Sequence, residues 1–142
     1  MRVAHQNSSK ILVVEDDAVT REVLVQLLRM AGFDALSAAT GQQGLVLLRK
    51  HRREIGWLFT ELEMPGLICG VMLADEFHQF QPSRPVVFAS AHAGEDPIET
   101  AQAVVLPKPV SPLQVLEALR ALRAALSSNA SLRREAETRQ AA

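Results

Sequence analysis

Cysteine is almost missing from this chain. Cys69 is the single one in 142 residues, which excludes an internal disulfide and any multi-cysteine zinc site. A surplus of basic residues is missing as well. Lys and Arg number 15 against 16 Asp and Glu, a net charge of -1, so nothing in the charge balance is suited to neutralising phosphates and no nucleic-acid partner is expected. No apolar run approaches the roughly 20 residues of a membrane helix. The opening MRVAHQNSSK has neither the apolar segment nor the small-residue cleavage site of a signal peptide. His5, His51, His78 and His92 show no ligand spacing, and no repeat is present. A cytoplasmic protein without membrane contact is expected. What remains is a globular composition, 48% hydrophobic and 22% charged, in a length that suits one domain with a proper core.

Residues 1–9 are polar and read as a loose tail. KILVVEDD follows, a four-residue apolar run ending in three acids, as in a strand buried on both faces of a parallel sheet. Asp17 can cap the next helix, with Val19, Val23, Leu24, Leu27 and Leu28 at helical spacing to face the core, and Gly32 ends it. FDALSA reads as a second strand. Thr40 and Gln43 make a capping box for a helix to about Arg52, turning Leu45 and Leu48 inward. WLFT is a third strand, MPGLICG a loop, and a helix runs from about Val71 to Phe80. VVFAS is a fourth strand. A short helix near Ile98–Gln102 precedes a fifth strand, VVL. Ser111, Pro112 and Gln114 then open a last helix with Leu113, Leu116, Leu119 and Leu122 as its buried stripe. Five strands alternating with five helices predict an α/β doubly wound parallel sheet over 10–126. Residues 127–142 are polar and read as frayed helix or disorder, too short for an output domain.

In such sheets the site lies beyond the carboxyl ends of the strands. There the sequence places Glu15, Asp16 and Asp17 after the first strand, Glu61 after the third, Ser90 at the end of the fourth and Lys108 after the fifth. Clustered carboxylates call for a divalent cation, and hard oxygen ligands favour Mg²⁺. A lysine and a hydroxyl beside that cation can hold phosphoryl oxygens, an arrangement fitted to phosphoryl transfer. Plainer roles exist for each group. Asp17 suits a helix N-terminus, Ser90 is a common strand-end residue, Lys108 can be a solvated lysine, and His92 on the rim and Cys69 in a loop read as bystanders.

ILVVEDD, TELEMPG, VVFAS and LPKPV, in this order and spacing, resemble the receiver domain of two-component response regulators across about residues 10–125. The resemblance implies a flavodoxin-like fold that takes a phosphoryl group from a histidine kinase onto an aspartate, with Mg²⁺ required. It further implies that Glu15 and Asp16 bind the metal together with the backbone carbonyl of Glu63, whose side chain faces solvent. Ser90 matches the switch hydroxyl and Lys108 the family lysine. Partners implied are a histidine kinase or another two-component protein, and a homodimer through the last two helices. The chain departs from the pattern at three places. Glu61 stands at the phosphoacceptor position, Val105 where an aromatic rotor is usual, and MPGLICG carries an extra residue.

Glutamate carries its carboxylate one C–C bond farther than aspartate, about 1.5 Å, and misplacement on that scale costs on the order of 100-fold when positioning is the catalyst. The longer acid also reaches toward the space of a phosphoryl group, where it can pair with Lys108 and accept from Ser90. The expected function is a single-domain receiver-like binding module whose state is set by sequence, not an enzyme beyond self-phosphorylation of the receiver type. The alternative is a Mg²⁺-dependent phosphoacceptor served by a histidine kinase. A flavin or nucleotide domain is disfavoured, because EDDAVT has no glycine-rich phosphate loop.

Overall fold

The structure is a computed structural model that describes residues 10–93 and 103–141. Its elements are β1 (Lys10–Val14), α1 (Ala18–Met30), β2 (Asp34–Ala38), α2 (Gly41–Lys50), β3 (Ile55–Glu61), α3 (Gly70–Phe80), β4 (Val86–Ser90), β5 (Ala103–Pro107) and α4 (Pro112–Ala141). The strands form one parallel sheet in the order β2-β1-β3-β4-β5. This is the flavodoxin-like α/β arrangement expected from the alternation of elements. Four helices flank the sheet among the described residues; the short helix expected near Ile98–Gln102 falls outside them.

Alternation along the strands divides the core in two. Ile11, Val13, Trp57, Phe59, Val87 and Ala89 pack under α1 and α4, with Leu24, Leu28, Val115, Leu116 and Leu119. Leu12, Val14, Leu58, Val86 and Phe88 pack under α2 and α3, with Leu48, Leu73 and Phe77. Both faces of the central strands are therefore covered, which is why they read as unbroken apolar runs. At the amino-terminal end of the sheet, Arg84 lies over Trp57 at 4.9 Å and Arg123 over Phe33 at 4.1 Å, while the two rings meet edge-on at 6.4 Å.

The helix starts follow their capping residues. Asp17 accepts from the Thr20 N–H at 2.8 Å. The Gln43 N–H donates to Thr40 Oγ1 at 3.1 Å, and Gln43 Oε1 accepts in return from Ala39 N–H at 3.0 Å. Ser111 and Gln114 exchange both bonds, at 2.9 and 3.2 Å.

Several expectations change. In α1 the inward residues are Leu24, Val25 and Leu28, whereas Val19 and Val23 are 72% and 49% exposed. Leu113 points outward at the start of α4, leaving Leu116 and Leu119 buried together with Val115, and Leu122 at the edge of the core. The second helix ends at Lys50, short of Arg52. The polar stretch after Leu126 continues α4 as exposed helix to Ala141.

Candidate functional site

The order β2-β1-β3 sends the connections from β1 and β3 to opposite faces of the sheet, which opens a crevice at their carboxyl ends. Glu15 and Asp16 follow β1, Glu61 closes β3, and Lys108 follows β5. A cavity of about 220 Å³ lies between them, lined by Glu15, Asp16, Glu61, Ala89, Lys108 and the start of α1. The carboxylates of Glu15, Asp16 and Glu61 approach within 4.8 Å of one another. Four of the expected site residues thus meet in one place.

Close backbone packing holds Glu61 there. The register sets Glu61 beside Ala89, and the Leu62 N–H donates to the Ala89 carbonyl at 2.9 Å. Behind it, α3 begins at Gly70, where a Cβ would lie 2.2 Å from the Glu61 carbonyl oxygen. Only glycine lets α3 start so near the strand end. On the other side of the crevice, the Lys108 N–H donates to the Ser90 carbonyl at 2.8 Å, and the Lys108–Pro109 peptide is cis.

Glu61 is 1% exposed, and its carboxylate oxygens are both engaged. Oε1 accepts from Lys108 Nζ at 2.5 Å, and Oε2 lies 3.4 Å from the Asp16 N–H. Burial and the hydrogen bonds among these groups displace the neighbouring acids in opposite directions. The Glu15 carboxyl is pushed from 4.5 up to about 8, by burial first and then by its hydrogen bond to Glu61. Asp16 moves below its usual value, chiefly through the hydrogen bond from Glu15. Burial tends to lower the Lys108 ammonium, but the bond to Glu61 and the charges of Glu61, Glu15 and Asp16 outweigh it and raise the value. Near neutral pH a proton on Glu15 therefore relieves three acids gathered in one small space. Hard carboxylate oxygens so close together, relieved by a proton, are a donor set that fits a divalent cation of the Mg²⁺ kind.

Ser90 is 1% exposed and stands apart from this group. Its hydroxyl donates to Glu63 Oε1 at 2.7 Å and accepts from the His92 N–H at 3.0 Å. The sequence predicted a bond from Ser90 to Glu61 and an idle Glu63 side chain; the structure gives the bond to Glu63. An acid two residues past a strand end, on the loop facing Ser90, was the available signal. Val105 sits mid-strand in β5 and packs against the second core.

Residues 11–120 match the response regulator receiver domain, and the chain belongs to that family. It is 34% identical over 112 residues to a response regulator receiver protein of Anaeromyxobacter sp. (strain Fw109-5), covering 76% of this chain and 46% of that protein. It is 29% identical over 96 residues to the two-component response regulator-like protein APRR7 of Arabidopsis thaliana, covering 64% and 13%. The chain thus spans less than half the length of these curated relatives. Among solved structures, the receiver domain of the hybrid histidine kinase CckA superposes with a TM-score of 0.67 at 29% identity, covering 80% of this chain and 97% of that one. A response regulator receiver protein from Sinorhizobium medicae WSM419 gives 0.72 at 22% identity over 81% and 94%, a likeness of fold alone. This is a receiver domain of two-component signalling, a class that is generally non-enzymatic, interacts with histidine kinases and other signalling proteins, and usually binds Mg²⁺ at an acidic site. No helix among the described residues is long and apolar enough to cross a membrane.

Proposed function

We propose that this receiver is a binding module whose state is set by Glu61 rather than by phosphorylation, and that it acts through protein–protein contacts. The observation that carries the reading is the Glu61–Lys108 pair. The lysine that would hold a phosphoryl oxygen is taken by the carboxylate at the acceptor position, at 2.5 Å, and that carboxylate is 1% exposed. An incoming phosphoryl group would have to separate this pair in a small space already rich in negative charge. Glu61 itself supplies there a single negative charge, where a phosphoryl group would bring about -1.5 to -2.

Mg²⁺ fits the same group. Glu15, Asp16 and Glu61, with the backbone carbonyl of Glu63, are the residues to hold it, and its contribution would be to neutralise the acids and draw in a phosphoryl oxygen. Lys108 acts as the cation that fixes the acid, Ser90 is the switch hydroxyl, and Val105 fills the rotor position without an aromatic ring. Partners on this reading are a histidine kinase or another two-component protein, with a homodimer through the last two helices as one further mode.

Intact-mass spectrometry after incubation with Mg²⁺ and acetyl phosphate tests the reading, with Glu61→Asp run in parallel. A phosphoryl gain confined to the aspartate variant is expected, and it means a competent pocket silenced by one methylene. A hydroxylamine-sensitive gain in the unmodified chain would overturn the reading in favour of a working phosphoacceptor, for which the retained Lys108 and acid cluster speak.

A further inference from the structure

Ser90 has one proton to donate, because a hydroxyl is a single donor with two acceptor sites. That proton is committed to Glu63 Oε1 at 2.7 Å, while the acceptor side takes the His92 N–H at 3.0 Å. A carboxylate accepts only, so the direction of the bond is fixed, and a bond to a carboxylate is stronger than one between neutral groups. Ser90 is 1% exposed, yet it does not line the acid cavity; its neighbour Ala89 does. Neither Glu61 nor Lys108 bonds to its hydroxyl. The bond instead ties the loop after β3 to the end of β4, one or two residues from Glu61 and Ala89, which do line the cavity.

We propose that Glu63 is a positioning residue, a latch that holds the Ser90 hydroxyl away from the Glu61–Lys108 pocket. Any group entering that pocket and needing the Ser90 proton competes with Glu63 for it. The latch therefore adds a second bias to the one set by Glu61, and this deepens the function proposed above. The side chain of Glu63 is exposed, so it can swing away into water without disturbing the core, whereas Ser90 must stay. A partner that covers the β3–α3 loop and offers Glu63 a cation would release the hydroxyl.

Two measurements on the full chain test this. The first is a double-mutant cycle of Glu63→Ala and Ser90→Ala by urea unfolding, on the unmodified Glu61 background. The two losses are expected not to add, since either change removes the same bond; additive losses would overturn the latch. The second uses the Glu61→Asp background with Mg²⁺ and acetyl phosphate. There the aspartate oxygen forms a bond to phosphorus, the bond from phosphorus to the acetyl oxygen breaks, and acetate leaves. Glu63→Ala should speed the gain of mass by about tenfold, the worth of one bond to a charged group. Glu63→Gln, which can still accept from Ser90 but without charge, should fall in between. With Ser90→Ala also present, Glu63→Ala should have no effect; an equal acceleration there would mean that Glu63 acts only by repelling the anionic donor, and would overturn the proposal. If Glu61→Asp takes up no phosphoryl group at all, the reading of the pocket fails while the unfolding cycle still decides the latch.

Discussion

Glu15→Gln should flatten the dependence of stability on pH. Glu15 is 6% exposed, and its carboxyl is raised from 4.5 to about 8 by burial and then by the bond to Glu61. An acid whose folded-state value lies above its unfolded one holds its proton more tightly when folded. Its contribution to stability is full below pH 4.5 and is lost as pH climbs to about 8. One proton changes stability by at most about 1.4 kcal/mol per pH unit. The group borders an open cavity, so about half that figure is reasonable after screening by water. Between about pH 5 and 7.5 the unmodified chain should then lose about 2 kcal/mol through this group alone.

Glutamine cannot ionise, and its amide can still donate to Glu61. The variant should therefore match the unmodified chain near pH 5 and exceed it by about 2 kcal/mol near pH 7.5, a rise of roughly 6 °C in Tm for a domain of this size. The neighbours do not interfere in this window. Asp16 is displaced downward from 3.8 and Lys108 upward from 10.5, so their effects lie below and above it. Urea unfolding without divalent cations, followed by the fluorescence of Trp57, the single tryptophan, which is 4% exposed, reads the result directly. Parallel pH profiles for the two proteins would refute the argument.

Mg²⁺ should raise Tm more at pH 8 than at pH 6, because the ion must displace the Glu15 proton; a rise independent of pH would show that Glu15 is not a ligand. Lys108→Met leaves a carboxylate that is 1% exposed without its cation. Loss of a buried partner costs about 3–5 kcal/mol, and since the lysine side chain is 34% exposed we expect about 2; unchanged urea stability would contradict this. Gly70→Ala should cost about 2 kcal/mol or more, as its Cβ would lie 2.2 Å from the Glu61 carbonyl oxygen, and backbone yields less readily than a side chain. An unaltered melting curve for that variant would mean that α3 can start farther from β3.

Much of this was legible in the sequence for identifiable reasons. Strands buried on both faces admit only apolar residues, so β1, β3 and β4 announced themselves, and the caps at Asp17, Thr40 and Ser111 fixed three helix starts. Position along the strands sufficed to bring Glu15, Asp16, Glu61 and Lys108 together. Helical spacing alone could not tell which apolar residues of α1 face inward, because Leu24, Val25 and Leu28 compete with a second stripe through Val19 and Val23. The partners that pack against α1 in three dimensions decide that. The Ser90–Glu63 bond was hidden for a similar cause. Glu61 and Glu63 are two residues apart at the end of β3, and only their placement in three dimensions shows that Lys108 takes Glu61 while Ser90 bonds Glu63. The amino acids after Leu126 read as a solvated tail, yet they lack proline and hold only helix-tolerant residues, so nothing stops α4 from propagating through them.

That continuation makes α4 a lever. Its root, Val115 to Leu126, is seated against the core beside α1, while the 15 residues from Ser127 to Ala141 extend beyond as exposed helix. At 1.5 Å per residue this stretch measures about 22 Å. A tilt of about 10° at the root would carry Ala141 through about 4 Å, so a small repacking near Leu116 and Leu119 becomes a displacement large enough to make or break a contact.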